Sequence, residues 1–442
     1  MKLKIKNIGK IKEAEIYVNG ITVIAGYNDT GKSTVCRSLF ALCDAFYKIG
    51  SNIHDERVSN IINAITESIA RNFTFHIYYN KLIEIEAEAV LNSNNRQEVR
   101  NILEQIPLKM YKKLQEFRGI TSDYSQDFEL QFNKNLDNYK NEIFSKIEIA
   151  LDMKNSIILT GIVSRTLKAE FAGQICCALN KKQGIFTLSN NDESVSITVE
   201  NNQEQNIVID NMSFQTEKAI YIDNAVNDIN PSRREIFSLL TTTRKLGHRR
   251  LLKADLMKTP EDYNLIDNLS AQEKLSLIMK KVSMVSKGAL IQDKDRNIWH
   301  YSLRGQDKSI LLNIENVSTG ILAFATLRRL IENGSLQESE ILILDEPETH
   351  LHPEWQNIFA EIIVLLCRDF DLKILLNTHS HYFLTAIENF SRKYGIDDKC
   401  KYYLSYNERD MVSFRDVTGK SDEIYKKFLQ PIQDMQDIDD EE

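Results

Sequence analysis

Apolar residues along the chain follow two strand patterns. Residues 341–344 form a continuous apolar run, which is typical of a strand buried on both faces of a parallel sheet. Residues 373–377, KILLN, predict a second apolar strand. Residues 3–8 and 14–18 predict a hairpin, and the apolar run 21–25 follows it. Polar residues end the apolar runs abruptly. We therefore expect these carboxyl ends to meet solvent or ligand, the usual position of a site in an open α/β sheet.

Helical spacing dominates residues 35–160, where a strand-like piece at 73–79 intervenes and Pro107 predicts a break in a long charged stretch. Beyond it, alternating segments separated by Asn and Asp clusters predict a β-meander. Its strands are expected at 184–188, 195–199 and 207–209. Further strands are expected at 219–222, 289–292, 298–303, 310–314, 401–406 and 411–414, and a short helix at 421–435.

Composition places the chain among soluble globular proteins. It has 442 residues, of which 42% are hydrophobic, and a net charge of −8. No apolar run approaches the ~20 residues of a membrane span, and the N-terminus lacks the apolar core of a signal peptide, so we expect a cytoplasmic protein without membrane contact. Six cysteines without metal-ligand spacing favour free buried thiols. The acidic charge excludes a globally basic nucleic-acid binder but not a local basic groove.

Residues 26–34, GYNDTGKST, match the phosphate-binding pattern GxxxxGK[ST] in full. Glycines at both ends allow successive backbone N–H groups to curl round a β-phosphate, and the following helix N-terminus adds its dipole. Lys32 is expected to reach the β- and γ-phosphates, Ser33 to bind Mg²⁺ and Thr34 to reach the α-phosphate. Asp29 tolerates a left-handed backbone, so the turn can form despite its charge. The alternative is a chance turn.

Asp345 and Glu346 follow the buried run 341–344 directly. In this position Asp345 would hold a water of the Mg²⁺ shell, and Glu346 would orient or deprotonate the water that attacks a γ-phosphate. On its own, the pattern also fits a core strand that ends in two acidic residues. Ser318, Thr319 and Gly320 likewise begin a helix whose N-terminus is either an anion site or an ordinary N-cap.

The order of these parts carries more information than each part alone. The P-loop comes first, a long insertion follows, the acidic pair begins 27 residues after Ser318, and His379 follows a second apolar strand. This order resembles the ABC-type ATPase head of SMC, RecF and OLD-like proteins. The stretches DEPETHLHPEWQ and THSHYFL are closer still to stand-alone ATPases of prokaryotic antiphage systems, of the PARIS, Septu and retron-associated types.

The resemblance covers residues 1–45 and about 285–390, and it implies an ATPase that uses ATP and Mg²⁺. Ser33 and Asp345 would be the metal ligands, and Glu346 and His379 the catalytic residues. The nucleotide-binding residues would be Gly26, Asn28, Asp29, Thr30, Gly31, Lys32, Ser33 and Thr34 of the Walker A motif and Ser318, Thr319 and Gly320 of the signature motif. In this architecture the signature helix faces away from the same chain's Lys32, which implies a homodimer or higher homo-oligomer.

Some positions depart from the transporter form of this head. Thr319 stands where transporters carry a second small residue, and Gln174 is the candidate for the Q-loop glutamine. His350 and His352 with Glu348 suggest a metal cluster at first sight. The resemblance instead assigns them to the D-loop and the helix after it.

The predicted fold class is α/β, with a P-loop ABC-type ATPase head formed by both chain ends, a helical insertion and a β-rich lobe. The expected boundaries are 1–45 and 285–420 for the head, 46–160 for the helical insertion, 161–225 for a β-rich part of the head, 226–284 for a helical basic segment, and 421–442 for a C-terminal helix and acidic tail. In the basic segment, Arg244, Arg249 and Arg250 are candidates for binding nucleic acid or an acidic partner. A helix with a solvated cationic face is the other interpretation.

The favoured function is an ATPase that acts as sensor or scaffold for a separately encoded effector, a nuclease or toxin, in antiphage defence. A RecF-like ATPase of DNA repair or recombination is the alternative. A transporter subunit would carry an LSGGQ-like signature, and a P-loop kinase or motor would lack the Ser318 cap and His379. About 60 residues follow His379, too few for the metal-dependent nuclease domain of OLD-type proteins, so we expect no nuclease chemistry in this chain.

Overall fold

Strands from both ends of the chain lie in one sheet of eleven strands in the computed structural model. In chain order the strands are β1 (Lys2–Ile8), β2 (Ile11–Tyr17), β3 (Ile21–Ala25), β4 (Gly184–Asn190), β5 (Glu193–Glu200), β6 (Gln203–Ile209), β7 (Ala219–Ile222), β8 (Ala289–Asp293), β9 (Ile298–Arg304), β10 (Ser309–Asn313), β11 (Ile341–Asp345), β12 (Lys373–Thr378), β13 (Cys400–Glu408) and β14 (Met411–Asp416). The order across the large sheet is β6-β5-β4-β1-β2-β14-β13-β3-β12-β11-β7, and β10-β9-β8 form a second sheet. The prediction that both chain ends share one sheet is confirmed.

The structure describes residues 1–73, 80–118, 126–179, 182–209, 214–223, 247–259, 269–293, 298–304 and 309–430. Their helices are α1 (Lys32–Phe46), α2 (Ile49–Asn72), α3 (Asn80–Leu91), α4 (Arg96–Arg118), α5 (Gln126–Asp152), α6 (Asn155–Phe171), α7 (His248–Met257), α8 (Leu269–Val285), α9 (Thr319–Glu332), α10 (Pro353–Phe370) and α11 (His381–Lys393). Residues 422–430 are also helical. Most of the strand-like piece predicted at 73–79 lies outside the described residues.

The parallel strands β7, β11, β12 and β3 form the part of the sheet that carries the site. β11 pairs in parallel with β12 on one side and β7 on the other, and β12 pairs in parallel with β3. Every residue of β3 and β11 is buried. The apolar runs 21–25 and 341–344 predicted this burial, whereas Asp345, the last residue of β11, was expected to meet solvent or ligand. Each fully buried Leu or Ile side chain stabilises the fold by roughly 1.5–3 kcal/mol, so these strands are fixed supports for the polar residues at their ends.

The predicted β-meander forms β4, β5 and β6, which pair antiparallel in sequence order. Alternate residues of β5 are buried, because successive side chains of a strand point to opposite faces. β4 also pairs with β1. The meander therefore extends the large sheet beyond the N-terminal hairpin.

The chain divides into two compact units, one of Met1–Tyr47 with Val163–Glu442 and the other of Lys48–Ile162. The second unit contains α2 to α5, which share a hydrophobic core that includes Ile61, Leu103 and Ile143. The finer boundaries expected from the sequence remain a prediction. Within the described residues, no helix is both long and apolar enough to span a bilayer. All six cysteines are free, as predicted, and Cys176 alone among them is partly exposed.

The break predicted at Pro107 is wrong, because α4 continues through it. Proline has no N–H to donate to the carbonyl four residues earlier, which is the carbonyl of Leu103. The hydroxyl of Tyr139 on α5 donates a hydrogen bond to this Leu103 carbonyl at 3.3 Å instead. A side chain thus supplies the bond that proline cannot make.

Candidate functional site

The predicted phosphate-binding loop connects β3 to α1. Gly31 is the N-cap of α1 with a left-handed φ of 76°, and Asp29 is also left-handed at 62°, as predicted for that residue. At Gly26 a Cβ atom would lie 1.9 Å from Oγ of Ser405 on β13, so no side chain fits there. The loop conformation therefore depends on its glycines and on Asp29.

This loop and Glu346 line one open pocket. Its walls are Asn28, Asp29, Thr30, Gly31, Lys32, Ser33, Thr34 and Glu346. The Lys32 ammonium donates to the carbonyls of Gly26 at 3.0 Å and Tyr27 at 2.8 Å and lies 3.6 Å from Oε1 of Glu346. Burial lowers the pKa of Lys32, and the neighbouring Glu346 carboxylate opposes this. A cation at the centre of a loop that begins a helix suits a phosphate group.

Asp345, the last residue of β11, is held by three hydrogen-bond donors. Its Oδ1 accepts from Oγ of Ser33 at 2.9 Å and from Nδ2 of Asn377 at 2.5 Å. Its Oδ2 accepts from the hydroxyl of Tyr221 at 2.7 Å. The hydroxyl and carboxylate oxygens of Ser33 and Asp345 therefore lie side by side, and oxygen ligands of this kind suit Mg²⁺.

Glu346 lies between the P-loop and His379. Its backbone is left-handed, with a φ of 49°, and its N–H donates to Oδ1 of Asn377 at 2.7 Å. Its Oε1 lies 3.5 Å from Nδ1 of His379. The interaction with His379 lowers the pKa of Glu346 and raises the pKa of His379. Glu346 is therefore a carboxylate at neutral pH, in the form that can accept a proton.

Glu348 holds the chain segment that carries His379. Its buried Oε1 accepts from the hydroxyl of Thr378 at 2.6 Å and from the backbone N–H of His379 at 3.1 Å. Burial raises the pKa of Glu348. Glu348 thus fixes the backbone that carries His379.

The signature residues lie at the start of α9. Ser318 is the N-cap, but its side chain makes no capping hydrogen bond. A Cβ atom on Gly320 would lie 3.0 Å from Leu351 and 3.2 Å from the carbonyl of His350, so glycine allows α9 to pack closely against the loop after β11. Thr319 lines a cavity with Asp223, Asp345 and His350. None of the three signature residues lines the P-loop pocket of the described chain.

The remaining candidates lie apart from the P-loop pocket. Gln174 lines a neighbouring cavity with Lys10, Thr34 and Arg37. Arg249 and Arg250 lie on α7, and Arg249 pairs with Asp223 through Nε at 2.8 Å and Nη2 at 2.7 Å. Arg244 lies outside the described residues. In the part of the chain that the structure describes, no group of three or more His, Cys, Asp or Glu residues is placed to hold a metal ion.

Sequence reasoning missed three residues of this site, Tyr221, Asn377 and Glu348. Asn377 was recognisable as the polar end of an apolar strand. Tyr221 gave no such signal, because an aromatic residue in a strand is an ordinary core residue. Glu348 lies inside the stretch that carried the family resemblance.

Comparison with known proteins gives a family match over most of the chain. The model of the AAA ATPase domain matches residues 1–384. The fold class predicted from the sequence, α/β with a P-loop ATPase head built from both chain ends, is confirmed. No match was found among curated proteins.

Solved structures with similarity to the chain include three SMC heads. The SMC head domain from Thermotoga maritima has a TM-score of 0.37 and 9% identity, and the match covers 94% of this chain and 98% of that one. An SMC head bound to the C-winged helix domain of ScpA has a TM-score of 0.39 and 10% identity over 94% and 97%. An SMC head with an extended coiled coil, bound to the C-terminal domain of ScpA derived from Pyrococcus furiosus, has a TM-score of 0.37 and 9% identity over 98% of each chain.

Proposed function

Because the chain belongs to the AAA ATPase domain family, we propose that it binds ATP with Mg²⁺ and hydrolyses it to ADP and phosphate. The observation that carries this proposal is the meeting of five side chains at one edge of the sheet. Lys32 lies 3.6 Å from Glu346, Glu346 lies 3.5 Å from His379, and Ser33 is hydrogen-bonded to Asp345. These are the groups needed to bind phosphates, hold the metal and position a water.

Each residue has a distinct task in this proposal. The backbone N–H groups of the P-loop and the Lys32 ammonium bind the β- and γ-phosphates. Ser33 and Asp345 would hold Mg²⁺, which when bound neutralises charge on the phosphate oxygens. Glu346 accepts a proton from the attacking water, and His379 holds Glu346 in place through Nδ1.

Conservative changes at Glu346 and Lys32 test this assignment. We expect Glu346→Gln to bind ATP like the unchanged protein and to lower turnover by about 10² or more, since a positioned general base contributes this much. Lys32→Ala should weaken ATP binding itself. Steady-state ATPase rates and equilibrium binding of a fluorescent ATP analogue separate the two effects. Glu408→Gln is the matched control, because this acid pairs with Lys12 on β2; near-normal turnover in Glu346→Gln would contradict the assignment.

We also propose that the active site is completed across two chains. The signature residues do not line the P-loop pocket of their own chain, and the N-terminus of α9 is not capped by the Ser318 side chain. An uncapped helix N-terminus suits the γ-phosphate of a nucleotide held by a second copy. A two-fold dimer would then contain two such composite sites.

The role that we propose for the ATPase is that of sensor or scaffold for a separately encoded effector in antiphage defence. The support is the similarity of DEPETHLHPEWQ and THSHYFL to the stand-alone ATPases of such systems. Co-expression with the genes encoded next to it, followed by affinity purification, tests the effector. A nuclease or toxin should co-purify, and its capture should differ between ATP-bound Glu346→Gln and the nucleotide-free protein.

The ATPase expressed and purified without any partner tests whether the chain has nuclease activity of its own. We expect the purified ATPase, supplied with Mg²⁺ or Mn²⁺, to leave DNA and RNA intact. Cleavage abolished by a point mutation in this chain would contradict the scaffold role. A permease as the co-purifying neighbour would instead indicate the transporter class.

A further inference from the structure

Tyr221 is a buried residue that contacts the site from the neighbouring strand. It lies on β7 opposite Ile343 of β11 in a parallel pairing. Its hydroxyl donates to Oδ2 of Asp345 at 2.7 Å, and its side chain is 1% exposed. A buried tyrosine hydroxyl needs a partner, and here the partner is the carboxylate assigned to the metal.

The ring of Tyr221 packs in a cluster with rings from two helices. It stacks on His248, the first residue of α7, with ring centroids 4.2 Å apart and an angle of 26° between the planes. Phe40 of α1 contacts both rings, with centroid distances of 5.9 Å to Tyr221 and 6.0 Å to His248. Because α1 begins at the P-loop lysine, this cluster joins the phosphate-binding helix to α7.

His248 is in turn fixed by two acids. Its backbone N–H donates to Oε1 of Glu170 at 2.6 Å, and its Nδ1 lies 2.7 Å from Oε2 of the same residue. Its Nε2 lies 3.2 Å from Oδ2 of Asp223, which also pairs with Arg249. The imidazole cannot rotate without losing these contacts, so it restricts the movement of the Tyr221 ring that stacks on it.

This arrangement determines how the Asp345 carboxylate is oriented. Tyr221 holds Oδ2 on one side, and Ser33 and Asn377 share Oδ1 on the other. With donors on both oxygens, the carboxylate cannot turn about its own axis. Oδ1 is thereby kept beside the Ser33 hydroxyl. Groups that orient a metal ligand in this way affect metal affinity about 10–100-fold.

We propose that Tyr221, clamped by His248, is a positioning residue that holds Asp345 ready for Mg²⁺. The inference rests on the proposed function, since it needs Asp345 to be a metal ligand. It adds a residue from a strand that lies outside the recognised motifs. It also connects α7 to the metal side of the active site through one stacked ring.

Tyr221→Phe is the direct test, because it removes only the hydroxyl and keeps the stacked ring. We expect the Mg²⁺ concentration that gives half-maximal ATPase activity to rise about tenfold. Mn²⁺ binding in the presence of ADP, followed by electron paramagnetic resonance, should weaken by a similar factor. Binding of a fluorescent ATP analogue in EDTA should stay unchanged, since no metal takes part. A general loosening of the fold would alter that metal-free binding as well.

Tyr403→Phe is the matched control. Tyr403 is also buried in the large sheet, and its hydroxyl accepts from the backbone N–H of Tyr17 at 3.0 Å. This variant should keep the unchanged protein's Mg²⁺ requirement. If Tyr221→Phe does not fold, Phe40→Leu removes the aromatic contact of α1 with the Tyr221 and His248 rings but keeps the hydroxyl, and we expect a smaller shift in the same direction.

The outcomes separate this inference from the function on which it rests. An unchanged Mg²⁺ requirement in Tyr221→Phe, or in Phe40→Leu if that variant must be used, overturns the positioning role. Equal shifts in Tyr221→Phe and Tyr403→Phe overturn it as well. Failure of the unchanged protein to bind ATP, or normal metal binding in Asp345→Asn, would instead overturn the proposed function.

Discussion

Glu346 has an unusual backbone for a residue with a long side chain. Its φ of 49° lies in the left-handed region, where a non-glycine residue costs about 1–2 kcal/mol. Its N–H is held by Asn377 and its carboxylate lies between Lys32 and His379. Strained residues of this kind concentrate at functional sites because the surrounding structure enforces them. With this backbone the Glu346 carboxylate lies beside Lys32 in the P-loop pocket.

Replacement of Glu346 by glycine tests whether that strain is present. Glycine adopts a left-handed backbone freely but loses about 0.5–1 kcal/mol more conformational entropy on folding. We expect Glu346→Gly to be as stable as Glu346→Gln or up to about 1 kcal/mol more stable, while turnover is strongly reduced in both. Urea unfolding of the two variants gives the comparison. A clear loss of stability in Glu346→Gly alone would show that the backbone is not strained.

At the residue scale, the sequence predicts groups that lie within one motif and misses groups that depend on strand register. Lys32, Ser33 and Thr34 are adjacent in the chain, so the loop pattern alone placed them. Tyr221 meets Asp345 across 124 positions of sequence. That contact exists because β7 pairs with β11 in one particular register. A pattern along the chain does not specify register between distant strands.

At the scale of elements, α7 has a role that its charge alone did not indicate. The sequence offered Arg249 and Arg250 as a basic surface. In the structure, however, Arg249 binds Asp223 at the end of β7. Replacing Arg249 by an acid would therefore place two negative charges together and disturb the contacts of α7 with Asp223, which we call the anchor of α7.

The anchor of α7 should depend on pH through His248. Burial lowers the pKa of His248, but bonds to Asp223 and Glu170 outweigh it and raise the pKa above the ordinary value. Burial likewise opposes the bonds that hold the pKa of Asp223 at about 2. A histidine whose pKa is higher in the folded than in the unfolded state stabilises the fold when it is protonated. The contribution is complete below the unfolded-state pKa of about 6.5 and is lost as pH rises through the folded-state pKa.

We therefore expect a matched pair of unfolding curves to diverge with pH. From pH 6 upward, the unchanged protein should lose unfolding free energy as the His248 imidazolium loses its proton, whereas His248→Gln should show a flatter profile. Urea unfolding measured at pH 6, 7 and 8.5 on both proteins gives the comparison. Parallel profiles would show that folding does not raise the pKa of His248. His54→Gln is a suitable control, because His54 pairs with Glu88 while both side chains are half-exposed, and solvent makes such a surface pair worth little.

At the scale of the whole molecule, the sequence predicted that both chain ends share one sheet, because their motifs have to meet at one nucleotide. A P-loop near one end and an acidic pair near the other can serve one phosphate only if β3 and β11 lie in the same sheet. They do, with β12 between them. The separate sheet of β8, β9 and β10 was not foreseen, since periodicity identifies strands but not which sheet they join.

The proposed composite site can be tested by mixing two variants of the chain. Lys32→Ala chains keep a working signature helix, and Ser318→Arg chains keep a working P-loop. In a two-fold dimer of one chain of each kind, one site combines the two intact halves and the other combines the two damaged halves. Neither variant alone should hydrolyse ATP. An equimolar mixture allowed to exchange chains should regain about a quarter of full activity, because half of the dimers are mixed and each carries one good site.

Two Ser318→Arg preparations mixed together provide the control. Absence of any recovery, despite exchange demonstrated with differently tagged chains, would place both halves of the site in a single chain.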